Sequence, residues 1–282
     1  MTAFWAMALS QAACASGKRV GDMGIQLYTV RDDMEKDPIG TLEKLSQMGY
    51  EHVESAGFKE GQYYGMSPKA FKKVLDDLGL TLYSGHNSTG TAEPELRGCL
   101  YNDWELAVAS AAEAGQQYMV IAYLQEQERQ SLDDYKKVSE QLNVAGEMCK
   151  KYGLQLAYHN HDFEFEKFDG QIAYDVMLDS TEAELLAMEL DLYWITKAQY
   201  DPFAYFEKYE GRFPLWHVKD MDATAEQFFT EVGNGIIDWE PIFRAAQTSG
   251  MQHFFVEQDQ CKNHQPLESV AISLNYLTAM RY

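Results

Sequence analysis

Residues 154–166 read Leu-Gln-Leu-Ala-Tyr-His-Asn-His-Asp-Phe-Glu-Phe-Glu. Leu154, Leu156 and Tyr158 alternate with Gln155 and Ala157, the period of a buried β-strand. The run then turns polar. In an extended strand His159 and His161 lie on one side, followed by Asp162, Glu164 and Glu166. Two imidazoles and three carboxylates beside a core are costly unless they bind something. Hydrogen-bonded histidines at a strand end are the alternative reading of this stretch alone.

The same pattern recurs along the chain. Strands are expected at 24–30, 52–56, 80–87, 118–124, 154 onward, 186–192, 213–220 and 253–259. Between them lie helical patterns. Pro38 and Ser67-Pro68 open two of these, and Gly49 and Gly79 close them. Further helices are expected near 102–115, 132–152, 173–178, after Asp201-Pro202, 239–250 and 267–280. Strand followed by helix, eight times over, is the signature of a closed (β/α)8 TIM barrel in the α/β class, here as a single domain. No Gly-x-Gly-x-x-Gly follows an early strand, so the open dinucleotide-binding sheet lacks its fingerprint.

In such a barrel the chemistry sits at the C-terminal ends of the strands. Those ends read Gln26 and Tyr28, Glu54, His86 and Asn87, His159 and His161, Glu189 and Asp191, His217 and Lys219, Glu257 and Asp259. A ring of acids and imidazoles without thiolates suits a divalent metal: Mn, Zn, Co, Mg or Fe. Glu189 and Glu257 could alternatively serve as the carboxylate pair of a metal-free glycosidase.

Composition limits the alternatives. The 282 residues are 46% hydrophobic, ordinary for a globular chain, and carry a formal charge of −21. A surface that acidic repels phosphate backbones, so no nucleic acid partner is expected. Cys14, Cys99, Cys149 and Cys261 form no C-x-x-C, which argues against a disulfide framework or thiolate zinc site. Residues 1–20 read as an export leader, with apolar Phe4–Leu9 followed by small residues, and residues 21–282 as the barrel. Ala12-Ala13-Cys14 makes Cys14 a candidate lipid anchor. The expectation is a periplasmic protein or a lipoprotein of a bacterial cell envelope, with no membrane span beyond the leader.

The motifs G-I-Q-L-Y-T-V-R, A-Y-H-N-H-D-F-E-F, L-D-L-Y-W, L-W-H-V-K-D, V-G-N-G-I-I-D-W and F-V-E-Q-D together make the chain resemble the xylose isomerase-like TIM barrels. These form the sugar phosphate isomerase/epimerase superfamily, and the resemblance extends from Gly24 onward, closest to an exported bacterial branch. It implies a divalent-metal-dependent isomerase or epimerase acting on a small keto-sugar through an enediolate. The implied metal ligands are Asp191, His217 and Glu257, with His159 where the epimerases have a glutamate. Implied catalytic groups are His161 or Glu257 as base and Lys219 as oxyanion stabiliser. Gln26, Tyr28, Glu54, His86, Asn87 and Trp194 are the expected substrate contacts. Because His159 replaces the second carboxylate base, the resemblance also implies an alternative: a lyase or hydratase on inosose-like substrates or 3-keto-glycosides. A non-catalytic sugar-binding barrel is the alternative of another class. An endonuclease-IV-like reading of the fold meets the acidic surface.

Overall fold

A computed structural model describes residues 18–282; the expected leader, including Cys14, lies almost wholly outside them. Eight parallel strands close on themselves: β1 (Gly24–Gln26), β2 (His52–Ser55), β3 (Thr81–Asn87), β4 (Tyr118–Ile121), β5 (Gln155–His159), β6 (Leu186–Asp191), β7 (Leu215–Val218) and β8 (His253–Val256). Each pairs with its sequence neighbours, and β8 returns to β1. At the chain ends Lys18 and Tyr282 exchange backbone hydrogen bonds, which ties the residues before β1 to the last helix.

Helices form an outer layer because the outward faces of the strands are apolar. On β5, Leu156 and Tyr158 belong to the large core between sheet and helices. Ala157 instead joins Tyr118, Val120, Ala187, Leu215 and Phe255 in a small cluster inside the barrel. That inner set is the middle layer of a packed TIM-barrel interior. Helix starts follow their punctuation. Asp37 caps Pro38–Met48, accepting from Gly40 N at 3.0 Å, and Ser67 caps Pro68–Leu78. The helix expected over 239–250 is two pieces, Trp239–Arg244 and Ala246–Ser249. No helix among the described residues is long and apolar enough to cross a membrane.

Several strands stop earlier than their sequence pattern does. β1 ends at Gln26, and Leu27–Val30 is a turn of 3-10 helix begun by the Gln26 side chain, which accepts from Tyr28 N. β5 ends at His159, β7 at Val218 and β8 at Val256. His161, Lys219, Glu257 and Asp259 therefore stand above the sheet rather than in it. In β3 the register slips by one residue opposite Val53 and Glu54, a bulge that brings Ser84 to face Glu54.

Candidate active site

Above the middle layer the inward positions turn polar. Glu54 (β2), His86 (β3), His159 (β5), Glu189 and Asp191 (β6), and His217 (β7) point into the barrel, joined by Glu257 after β8. All but His86 are essentially buried. They form two groups that share His217: Glu54, His86, Glu189, His217, and His159, Asp191, His217, Glu257. Within each, the potential ligand atoms lie within 4.8 Å of one another.

His217 is the hinge between the groups. Its Nε2 is 2.7 Å from Glu54 Oε1 and its Nδ1 is 2.8 Å from Glu257 Oε2. Burial opposes its charging, but the facing carboxylates of Glu189 and Glu257 win and raise its pKa well above the ordinary value. His86, 2.9 Å from Glu189 Oε2 and 3.2 Å from Glu54 Oε1, is likewise carried past the burial penalty to about 9. His159 and His161 go the other way. Burial and neighbouring positive charge push His159 to about 4 and hold His161 well below its usual range, so both are neutral at pH 7.

The upper group could hold a metal ion. His159 Nε2 is 3.3 Å from Asp191 Oδ2, which is 3.7 Å from His217 Nδ1, which is 2.8 Å from Glu257 Oε2. Four donors about 2.1 Å from a shared centre stand about 3.0 to 3.4 Å apart; the 3.3 Å separation lies in that range and the 2.8 and 3.7 Å ones fall on either side of it. Asp191 is aimed there by its other oxygen, which accepts from Tyr193 N and Trp194 N at 2.9 Å each. In the lower group Glu54 Oε1 holds the far side of the His217 imidazole, the place a carboxylate would take behind a metal-bound histidine. The oxygens offered to a metal also contact Lys219, whose Nζ is 2.9 Å from Asp191 Oδ2 and 2.7 Å from Glu257 Oε2. It reaches Asp259 Oδ1 at 2.9 Å as well. Burial opposes the Lys219 charge, but the three acids hold its pKa well above normal.

This ring floors a cavity of about 580 Å³, within the usual range for small-molecule sites. Of the expected site residues, Tyr28, His86, Asn87, His159, His161, Trp194, Lys219 and Glu257 line it. Two do not. Gln26 is fully buried and donates from Nε2 to Glu54 Oε1 at 2.6 Å, and Glu54 also takes hydrogen bonds from Ser84 and His217. Both lie one layer too deep to touch a substrate; they support the ring instead. Nor do His159 and His161 share a strand face. Their rings meet edge to face at 4.9 Å because the chain turns at Asn160, whose Oδ1 accepts from Asp191 N. Glu189 is buried against His86 outside the cavity, which removes the glycosidase pairing with Glu257.

The geometry adds residues that the motifs alone did not assign. Asp259 lines the cavity, and burial raises its carboxyl to about 6 against the pull of Lys219. Glu164 is buried, accepts from His161 N at 2.8 Å and Tyr158 Oη at 2.5 Å, and so fixes the turn that carries His161. Asp220 is the fully buried centre of the following loop. Its carboxylate accepts from the backbone of Met221, Gly233, Gly235 and Ile237 and from Trp239 Nε1. A Cβ on Gly235 would stand 2.1 Å from Asp220 Oδ1. The Gly233-Asn234-Gly235 turn is thus wrapped around an internal carboxylate, which explains why H-V-K-D and V-G-N-G-I-I-D-W occur together.

Comparison with known proteins agrees with the fold. The xylose isomerase-like TIM barrel family model matches residues 42–280. A crystal structure of a sugar phosphate isomerase/epimerase from Parabacteroides distasonis ATCC 8503 is 30% identical and superposes with a TM-score of 0.79, over 96% of this chain and 98% of that one. An inosose dehydratase of Lacticaseibacillus casei is 23% identical over 84% of this chain and 88% of its own length. The IolI protein, whose crystal structure holds a zinc atom, shares the fold at a TM-score of 0.72 with 13% identity, over 93% and 99% of the two chains.

Proposed function

Since the chain belongs to the xylose isomerase-like TIM-barrel family, we propose that it is a divalent-metal-dependent isomerase or epimerase of a neutral keto-sugar. The observation that carries this is the upper group: two imidazoles and two carboxylates whose donor atoms converge, with His159 and Glu257 lining a sugar-sized cavity. His159, Asp191, His217 and Glu257 would hold the cation. When bound, it would polarise the substrate carbonyl and lower the barrier to losing the proton on the adjacent carbon.

The protein groups divide the rest of the work. Lys219, fixed by three carboxylates, presents positive charge where an enediolate oxygen develops. His161, neutral and stacked on Phe163, is placed to exchange a proton with the ligand from the β5 side. Asp259, with its raised carboxyl, stands on the β8 side. Trp194 and Phe229 offer apolar faces for the sugar ring.

One observation favours a second reading, elimination. The carboxylates lining the cavity, Glu257 and Asp259, both follow β8, whereas β3 and β5 contribute His86, His159 and His161. An epimerase reverses its reaction through similar bases on the two faces of one carbon. Chemically unlike sides instead suit a base that removes the proton and an acid that protonates a departing hydroxyl. The inosose dehydratase relatives accord with that. We also propose that the chain is exported, from residues 1–20, which lie almost wholly outside the described structure.

The test is turnover in deuterated water. Metal-loaded protein is incubated with keto-sugars and 3-keto-glycosides, and products are followed by NMR. Deuterium at the carbon beside the carbonyl with an intact skeleton identifies an isomerase or epimerase. An unsaturated or cleaved product identifies a lyase. Binding without exchange would leave a sugar-binding barrel and sink the enzymatic reading.

A further inference from the structure

Lys219 is sealed in among the acids of the site. It is 1% exposed, and its Nζ stands 2.9 Å from Asp191 Oδ2, 2.7 Å from Glu257 Oε2 and 2.9 Å from Asp259 Oδ1. An ammonium has three N–H donors, and three carboxylates face them here. Two of those three oxygens are also the ones that Asp191 and Glu257 turn toward His159 and His217. At Asp191 there is no alternative oxygen. Its Oδ1 accepts from Tyr193 N and Trp194 N at 2.9 Å each, which leaves Oδ2 for every other partner.

Lys219 and a divalent cation therefore meet at the same atoms, as like charges. A lysine so deeply buried needs a carboxylate that such a cation does not claim, because an unpaired buried charge is strongly destabilising. Asp259 is that carboxylate. It lies outside both converging groups, lines the cavity, and accepts a hydrogen bond from Lys219 Nζ through Oδ1. Its own place is fixed by the turn that follows β1. Arg31 donates from Nη1 to the backbone carbonyls of Asp259 and Tyr28, at 3.0 and 2.9 Å, with its guanidinium 4.2 Å from the centre of the Tyr28 ring. One residue before Asp259, Gln258 N donates to Thr29 Oγ1 at 2.9 Å.

From this we infer that Lys219 sets the metal affinity of the site by competing for Asp191 and Glu257, and that Asp259, positioned by Arg31, relieves the competition by holding Lys219. The inference rests on the metal-binding reading above and deepens it by naming groups that tune the affinity without being ligands. Asp259 and Arg31 are positioning residues in this respect, since both act on the cation through Lys219.

The test is a double-mutant cycle on Zn(II) affinity, read on the full chain by competition with a chelating dye, with circular dichroism to check the fold. Lys219→Met is expected to tighten Zn(II) binding about tenfold, and Asp259→Asn to weaken it about tenfold. Combined with Lys219→Met, the Asp259→Asn loss should shrink to about twofold or less, because the group it acts through is gone. The same loss in both backgrounds would mean that Asp259 acts on the cation directly, and would overturn the inference. Arg31→Ala, at a half-buried side chain, supplies an independent sign. By its field alone, removing a positive charge tightens Zn(II) binding. Loosening the loop that carries Asp259 should instead weaken it, about threefold. Unchanged or tighter binding in Arg31→Ala overturns the inference even where Lys219→Met does not fold, and leaves the metal-binding reading standing. A wild-type chain that binds no Zn(II) overturns the two together.

Discussion

At the N-terminal end of the barrel His52 packs edge-on against Tyr83 and Phe255, 5.1 and 5.3 Å between ring centres, while Tyr83 stacks on His253 at 3.8 Å. At the C-terminal end His217 is held between Glu54 and Glu257. Both histidines are inward-facing strand residues, and both are buried. Burial and the neighbouring His253 push the first down to about 4; carboxylates overcome burial and raise the second. The position within a strand decides little here. What surrounds an imidazole decides whether it is a neutral packing element or part of a charged, ligand-ready ring. The middle layer, from Tyr118 and Val120 to Leu215 and Phe255, keeps the two environments apart.

The sharpest way to break the comparison is His217→Ala. It removes a donor from the upper group and the partner of Glu54, so bound divalent metal should be lost, with circular dichroism showing a retained barrel. Metal retained at wild-type stoichiometry would mean that the ring is not the ligand set.

The N-terminal end makes the opposite prediction, about stability and pH. The folded pKa of His52 lies below its unfolded value of about 6.5, so its neutral form is favoured by folding. That stability is fully present above about pH 6.5 and is lost as pH falls towards about 4, to a total of about 3 kcal/mol. Urea denaturation of wild type and His52→Asn at pH 7 and pH 4.5 should show the smaller pH dependence in the variant. Equal dependence would contradict this assignment.

Glu54→Gln tests how far the lower group serves the upper one. Losing the carboxylate behind a metal-bound histidine should weaken metal binding about 10- to 100-fold without abolishing it. Competition with a chelating dye measures this. Ser67→Ala, which removes a helix cap away from both ends, should cost about 1 kcal/mol of stability and leave metal affinity unchanged.

The barrel was legible because glycine, proline and capping residues punctuate each strand and helix, and because Tyr118–Ile121 and Leu186–Asp191 are continuous enough to mark strands buried on both faces. The ring was legible as polar residues at strand ends. Depth was not. Gln26 and Glu54 read like substrate contacts, yet the early end of β1 and the bulge in β3 sink them beneath the floor. His161 and Lys219 were found for a reason that holds only in part, since both stand past the ends of their strands. Asp220 carried no separate signal, and Glu164 stood out only as one of three acids after His161, because a carboxylate whose acceptors are filled by backbone N–H groups reads in sequence like any other acid.

The most direct test of the account is the identity of the donors around a bound cation. Wild-type protein loaded with Mn(II) is examined by electron–nuclear double resonance for nitrogen couplings. The account predicts two inequivalent imidazole nitrogens, from His159 and His217, one of them lost in His159→Ala. Manganese bound tightly with no nitrogen coupling would contradict it, placing the cation among the surface acids rather than on the barrel floor.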